Sequence, residues 1–454
     1  MKKFKYIITV AGALLISSCQ HELDTFNNNP NNPTNLTSPK TLLPGVEIGI
    51  INNSTGNLTR TLSLLIQQTN GVGFQSLDYT NYSITELDNE GDWANLYQSG
   101  MNAQQIITQF GDKNPYYGGI AKILLALNMG YTTDVWGDIP FSEAFRGKDN
   151  LTPKYDTQKD VISSIQEMLD SAISDLSRPV NANLMLPGSE DIFYGGDISR
   201  WIKLAYGIKA RYAMRLTQRD GSSAAAQNTL TFLQKSLQSK DDNFVAKFDG
   251  GNNQNLWYAF NNTRNGYMTM GKFFIDFMKI SNDPRLPFFA GLDANKGYSG
   301  SSPEDADDNA SPFGSYLIGS ASQPLNIFSY SEIKFLEAEA LFRLGRMTES
   351  QDALRAAVSA SLIDVTGADN PSYVVQATAS VSLQNIITQK YIALFSTMEP
   401  YNDWRRTGFP VLVPNNNSQS KAIPVRLITP RSERTLNSNA TVINSMYTPV
   451  WWHN

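Results

Sequence analysis

The chain has 454 residues, ample for a large core, of which 41% are hydrophobic and only 17% charged, with a net charge of −5. An acidic chain without a basic block is a poor partner for nucleic acid, because phosphate backbones need clustered Lys and Arg. One Cys excludes a disulfide framework and a multi-thiolate zinc site, and the two His, His21 and His453, lie near the termini, which removes most His-based hydrolase and metal chemistry.

Lys2, Lys3 and Lys5 precede an apolar run from Tyr6 to Ile16 that is too short to cross a ~30 Å hydrocarbon core. The run ends in Ser17-Ser18-Cys19. Small residues directly before the sole Cys fit a lipoprotein signal-peptidase box. Residues 1–18 are therefore predicted to be a signal peptide and Cys19 the residue that receives the lipid, palmitate included. The alternative is an ordinary signal peptide that contains a Cys. No later apolar run approaches ~20 residues, so lipid on Cys19 is the expected membrane anchor. Residues 19–40, rich in Asn, Pro and Thr, are expected to form a flexible tether, and residues 41–454 a single body.

Periodicity in the body is mostly helical. Trp93 to Phe110 and Tyr116 to Tyr131 are predicted helices. Val161, Ile165, Leu169, Ala172 and Leu176 form one apolar stripe, and Thr157 with Asp160 has capping-box spacing at its start. A helix marked by Trp201, Ala205, Ile208 and Tyr212 is expected to close at Gly221, followed by a shorter one over Ser222 to Leu237. Ile333, Leu336, Ala340 and Leu344 share a stripe that Gly345 should stop, and Thr348 with Gln351 suggests a capping box for the next helix. Two short helices hinged at Leu344-Gly345-Arg346 look like a tetratricopeptide unit. Strand signals are few and short. The fold class expected is all-α: tetratricopeptide-like helix pairs with a loop-rich, irregular lobe of insertions at 177–199, 249–329 and 409–454.

The order of several short motifs adds a resemblance. They are the box at Cys19, Asn27-Asn28-Asn29-Pro30, Trp93 to Tyr97, Asp134-Val135-Trp136-Gly137-Asp138-Ile139-Pro140-Phe141, Trp201 to Ala205 with Arg211 and Arg215, and Asn282-Asp283-Pro284-Arg285-Leu286. Tyr330 to Ala340 is the most specific, and Lys390-Tyr391, Asp403-Trp404-Arg405-Arg406, Pro424-Val425-Arg426-Leu427 and Glu433 complete the series. In this order the chain resembles the SusD/RagB family of nutrient-binding outer membrane lipoproteins. The resemblance implies a surface-facing, lipid-anchored protein without catalytic activity or cofactor. It implies capture of an oligosaccharide, or of a peptide in the RagB manner, for delivery to a SusC-like TonB-dependent transporter. A surface-anchored glycoside hydrolase is the alternative from another class. It would need paired carboxylates about 5–5.5 Å apart if retaining.

Sugar recognition needs flat apolar faces for the C–H-rich side of a pyranose and fixed polar groups for its hydroxyls. Two aromatic stretches in polar loops qualify. One holds Phe74, Asp78, Tyr79, Asn81 and Tyr82; the other holds Asn255, Trp257, Tyr258, Arg264, Asn265 and Tyr267. Together they are expected to form a shallow exposed platform. Trp136, Trp201 and Trp404 are read as packing residues, and Trp451-Trp452 as packing the C-terminus back onto the body. Glu332, Glu337 and Glu339 are expected in ion pairs, with Arg405 and Arg406 among the partners. The acidic runs at Asp88, Glu90 and Asp92 and at Asp305, Asp307 and Asp308 lack EF-hand spacing and are read as solvated loops, so no metal site is assigned.

Overall fold

The computed structural model describes residues 38–453; Cys19 and the expected signal peptide, residues 1–18, lie outside the described residues. The first half is helical: α1 (Pro39–Thr55), α2 (Asn57–Leu65), α3 (Phe74–Thr80), α4 (Glu90–Phe110), α5 (Pro115–Trp136), α6 (Gln158–Leu176), α7 (Ile198–Arg215) and α8 (Ser222–Leu233). The irregular middle contributes α9 (Leu256–Thr263), α10 (Lys272–Ile280), α11 (Leu286–Phe289) and α12 (Ser315–Ile318). Then follow α13 (Tyr330–Arg343), α14 (Met347–Thr366), α15 (Pro371–Ala377), α16 (Leu383–Ala393), α17 (Glu399–Thr407) and α18 (Arg431–Leu436). The strands are β1 (Thr69–Gly71), β2 (Ile139–Pro140), β3 (Tyr155–Asp156), β4 (Phe244–Ala246), β5 (Met268–Met270) and β6 (Leu325–Phe328), in three antiparallel pairs, β1–β5, β2–β3 and β4–β6. The fold is all-α, with strands serving only to tie distant segments together.

Helix pairs form where apolar stripes meet. Thr157 caps α6 by accepting from the Asp160 amide, and Val161, Ile165, Leu169, Ala172 and Leu176 are all buried beside α5. α5 is buried on every side, as a helix apolar all round must be. In the α13–α14 pair Ala338 and Ala340 are fully buried, and the Ser350 hydroxyl donates to the Ala338 carbonyl at 2.7 Å. Gly345 ends α13 in the left-handed conformation (φ +74°) that a Cβ would resist.

Several local expectations need correction. Gly221 does not close α7, which ends at Arg215 and tightens into one 3-10 turn; Gly221 instead enters α8, which stops at Leu233 rather than Leu237. Thr348 is not a cap: α14 starts one residue earlier, with Arg346 at its N-cap and no side-chain cap bond. α1 begins at Pro39, capped by Ser38, inside the span assigned to the tether.

The residues that carried the family resemblance converge on a buried ionic lattice. Arg211 forks onto Glu332 with both contacts at 2.8 Å, Arg215 meets Asp134 at 3.1 Å and Glu399 at 2.8 Å, and Lys390 meets Asp403 at 2.7 Å. Arg406 joins Glu339 and, at 2.8 Å, Asp403, while Arg285 grips Asp283 at 2.7 Å. All of these side chains are buried. Burial alone would raise the Asp403 carboxyl, but Lys390 and Arg406 outweigh it and hold Asp403 well below the usual carboxylate range. Arg405 departs from the expected pairing: its guanidinium bonds Asn402 and the Val425 carbonyl instead of a glutamate. Glu337 pairs only with Lys334 near the surface. Trp136, Trp201 and Trp452 are buried as read from sequence, and Trp404 and Trp451 are half-buried.

Candidate glycan-contact surface

The two aromatic stretches, about 180 residues apart, are brought together by the β1–β5 pair. Gly71 lies opposite Met268, and the pairing continues as Val72 and Gly73 both donate to the Tyr267 carbonyl, at 2.9 and 3.3 Å. The chain then turns sharply into α3. Gly71 is required there, because a Cβ would lie 1.9 Å from the Ser76 carbonyl oxygen. The opposite side of the corner turns at Gly266 (φ +77°).

This corner sets Phe74 on Tyr267 with ring centroids 4.5 Å apart and planes 19° from parallel. Phe74 is 69% exposed and has φ +52°, a left-handed conformation costly for a bulky residue. Tyr267 is half-buried and backed edge-on by Phe260 at 6.1 Å, which Arg60 covers from beneath at 4.5 Å. Arg264 is exposed, lies 5.3 Å from the Tyr267 ring centre and reaches the Tyr267 hydroxyl at 3.4 Å. Asn265 is exposed beside it, and Asp78 is exposed one helical turn after Phe74, on the same face of α3. The arrangement presents a fixed aromatic face rimmed by a cation, an amide and a carboxylate. It can stack against a sugar ring and hydrogen-bond its hydroxyls.

The platform drawn from sequence therefore needs correcting, residue by residue. Each stretch is part helix: Phe74–Thr80 is α3 and Leu256–Thr263 is α9, while Arg264, Asn265 and Tyr267 lie in the turn that follows α9, as expected. Trp257 is fully buried and packs edge-on against Phe313 at 5.3 Å, so it is core and offers no face to solvent. Asn255 is also buried: its side chain caps α9 by accepting from the Trp257 and Tyr258 amides. Tyr79 is 3% exposed, and its hydroxyl is bound to Asp88 at 3.2 Å; burial and that carboxylate push its ionisation far up. Tyr82 is buried and accepts from the Asn415 amide at 3.1 Å, with burial pushing its pKa up to about 12. Asn81 accepts from the Asn415 side chain at 2.9 Å, which anchors the 415 loop under the corner. Tyr258 is half-buried on α9. Phe74, Asp78, Arg264, Asn265 and Tyr267 remain as the exposed cluster. Sequence reasoning passed over Phe260, Arg60 and Asn415, the supports of this corner. Phe260 and Trp257 are three apart on α9, a helical spacing readable only once α9 is recognised as a helix.

Of the two acidic runs read as solvated loops, Asp305 to Asp308 forms local turns, with Asp307 accepting from the Asn309 amide, whereas Glu90 and Asp92 sit in the first turn of α4, where Asp92 accepts from the Asn57 side chain at 2.8 Å. Among the described residues, no group of acidic, His or Cys side chains is arranged to hold a metal ion. A groove of about 520 Å³ runs between α8 and the α13–α14 pair, away from the aromatic corner. Its rim charges are already paired with one another, Lys334 with Glu337 and Arg346 with Glu349.

Three comparisons relate the chain to known proteins. A protein-family model described as SusD-like, starch-binding and associating with the outer membrane, matches residues 30–430. The search of curated proteins found no match. Among solved structures, a SusD/RagB family protein from Bacteroides thetaiotaomicron is 26% identical with a TM-score of 0.79, covering 92% of this chain and 99% of its own. A chitin-binding protein is 25% identical with a TM-score of 0.79, covering 92% of this chain and 100% of its own. A chitin-binding SusD homolog from Flavobacterium johnsoniae shares the fold at 22% identity and TM-score 0.79, covering 91% and 98%.

Proposed function

Because this chain belongs to the SusD-like family, described as starch-binding and associating with the outer membrane, we propose that it is a non-catalytic, cell-surface glycan-binding lipoprotein. In this reading Cys19 carries the lipid, the body faces the exterior, and captured oligosaccharide passes to a SusC-like TonB-dependent transporter. Among the described residues no helix is long and apolar enough to cross a membrane, which agrees with attachment from outside the folded body.

The observation that carries the reading is the Phe74–Tyr267 pair. Phe74, held at positive φ against Tyr267, leaves 69% of itself exposed and so adds little to the core. It is the flat, preorganised surface that carbohydrate C–H groups prefer. Asp78, Arg264 and Asn265 are the proposed hydroxyl partners. The similarity to a chitin-binding structure makes N-acetylglucosamine oligomers the first ligands to test, ahead of malto-oligosaccharides.

The test is affinity electrophoresis of the purified chain against immobilised chitin, starch and other neutral polysaccharides, with chromatography of the incubation mixtures for product. Retardation without product is expected. Release of shorter oligosaccharides would identify a hydrolase, and retention by peptides alone would place the chain among peptide binders.

A further inference from the structure

The loop after α6 carries an apolar cluster that the fold does not use. Val180, Leu184, Met185 and Leu186 are 58%, 76%, 37% and 44% exposed. Three consecutive large apolar side chains facing water are a liability in a soluble protein unless something covers them. Most other exposed apolar residues, such as Ile280 and Leu292, stand singly.

These side chains cannot turn inward, because the backbone beneath them is pinned to the start of α5. The Leu184 amide donates to the Lys113 carbonyl at 3.0 Å and the Met185 amide to the Asn114 side chain at 2.7 Å. Asn183 accepts from the Tyr116 amide at 2.9 Å. The Tyr116 hydroxyl donates to the Arg178 carbonyl at 2.8 Å and the Tyr117 hydroxyl to that of Leu186 at 3.2 Å. Lys113 and Arg178 are exposed at the edges of the cluster, with one exposed carboxylate, Asp112, beside Lys113.

The position of the cluster suggests its occupant. The first described residue, Ser38, touches it: its hydroxyl lies 3.5 Å from the Met185 sulfur, and Lys40 is exposed in the next turn. The chain leading from Cys19 therefore enters the described fold at this cluster. Apolar side chains flanked by Lys and Arg fit the boundary between acyl chains and headgroups. We propose that residues 178–186 rest on a lipid surface, as a second membrane contact beside the anchor. This rests on the reading that the chain is held to a membrane near Cys19.

The experiment supplies the tether artificially, so failure of that reading does not affect it. Chain 19–454 bearing Cys19→Ser and an N-terminal hexahistidine is held on phosphatidylethanolamine–phosphatidylglycerol vesicles containing a nickel-chelating lipid. An environment-sensitive dye is attached through Leu184→Cys or, as control, through Met347→Cys on α14, itself exposed. At 184 the dye should brighten several-fold, shift to the blue and be quenched by brominated lipid, while at 347 it should not. Equal behaviour at both positions overturns the proposal. A blue shift at 184 that grows with protein concentration without vesicles also overturns it, and assigns the cluster to a second copy of the chain. Without the tag, Leu184→Ser with Leu186→Ser should lower vesicle partition about tenfold at unchanged Tm. Palmitate labelling of the native chain reports separately on Cys19.

Discussion

The ionic lattice and the aromatic corner both rely on arginine, in opposite states. Arg406 is buried, with its guanidinium shared between Glu339 and Asp403. Arg264 is exposed, lies against an aromatic ring, and makes no ion pair among the described residues. The first arginine has spent its donors on the fold, whereas the second keeps donors for a ligand. The corner likewise divides its aromatics: Trp257, Tyr79 and Tyr82 hold it up, while Phe74 and Tyr267 face out. The difference shows that residue type alone does not mark a site here. What marks it is a side chain left exposed by a backbone that holds it rigidly.

The comparison breaks most visibly if a lattice arginine is dispensable. Arg406→Met removes the cation that buried Glu339 and Asp403 share, leaving each with one partner, Arg343 and Lys390, and should cost about 3–5 kcal/mol, read by urea denaturation, with glycan affinity of the folded fraction unchanged. Trp257→Ala should cost about 3–5 kcal/mol through the cavity it leaves; a Tm equal to wild type would return Trp257 to the surface. Ala338→Phe, at the face of α13 that packs on Ala353, Leu354 and Ala357 of α14, should overpack that seam by about 1–3 kcal/mol, measured in the same denaturant series.

A smaller effect separates buried carboxylates that are paired with cations from one that is not. Glu47 is buried beside Asp191, and burial, then that neighbouring charge, pushes its pKa from 4.5 up to about 10. The folded chain keeps a proton that the unfolded chain releases near 4.5, so this group's contribution to stability falls as pH rises from about 4.5 toward 10. Asp403 runs the other way: its depressed pKa favours folding at neutral pH, and that contribution is lost as pH falls below the unfolded carboxylate range. Glu47→Gln replaces the carboxyl oxygen that accepts from the Ile192 amide with an amide carbonyl oxygen and removes the proton uptake. Its Tm should exceed wild type at pH 8, with the gap closing toward pH 5. A constant gap would show that Glu47 does not titrate differently on folding.

The scaffold was legible in the sequence because helical stripes such as Val161 to Leu176 repeat at three and four, and because motif charges such as Glu339 and Arg406 come in complementary sets. Cap assignments failed at Thr348, two residues inside the Arg346 cap, and at Gly221, which enters α8 after α7 has already ended at Arg215. The aromatic corner was half legible. Composition located both stretches, yet α3 and α9 are too short for periodicity to stand out. Trp257 was therefore read as exposed when its helix turns it inward. The pairing that joins the stretches depends on β1 and β5, three residues each and far apart in sequence, which leave no local signal.

The central claim is that the exposed Phe74–Tyr267 pair binds a neutral glycan while the buried aromatics only support it. Titration calorimetry with the best oligosaccharide from the panel tests it, on wild type, Phe74→Ala and Tyr267→Ala, alongside a melting curve for each. Wild-type affinity should be micromolar to millimolar, about −8 to −4 kcal/mol, and nearly independent of salt. Phe74→Ala should lose about 1–3 kcal/mol of binding at unchanged Tm, with Tyr267→Ala at least as weak. Wild-type affinity in both variants would contradict the account and move the binding surface away from this corner.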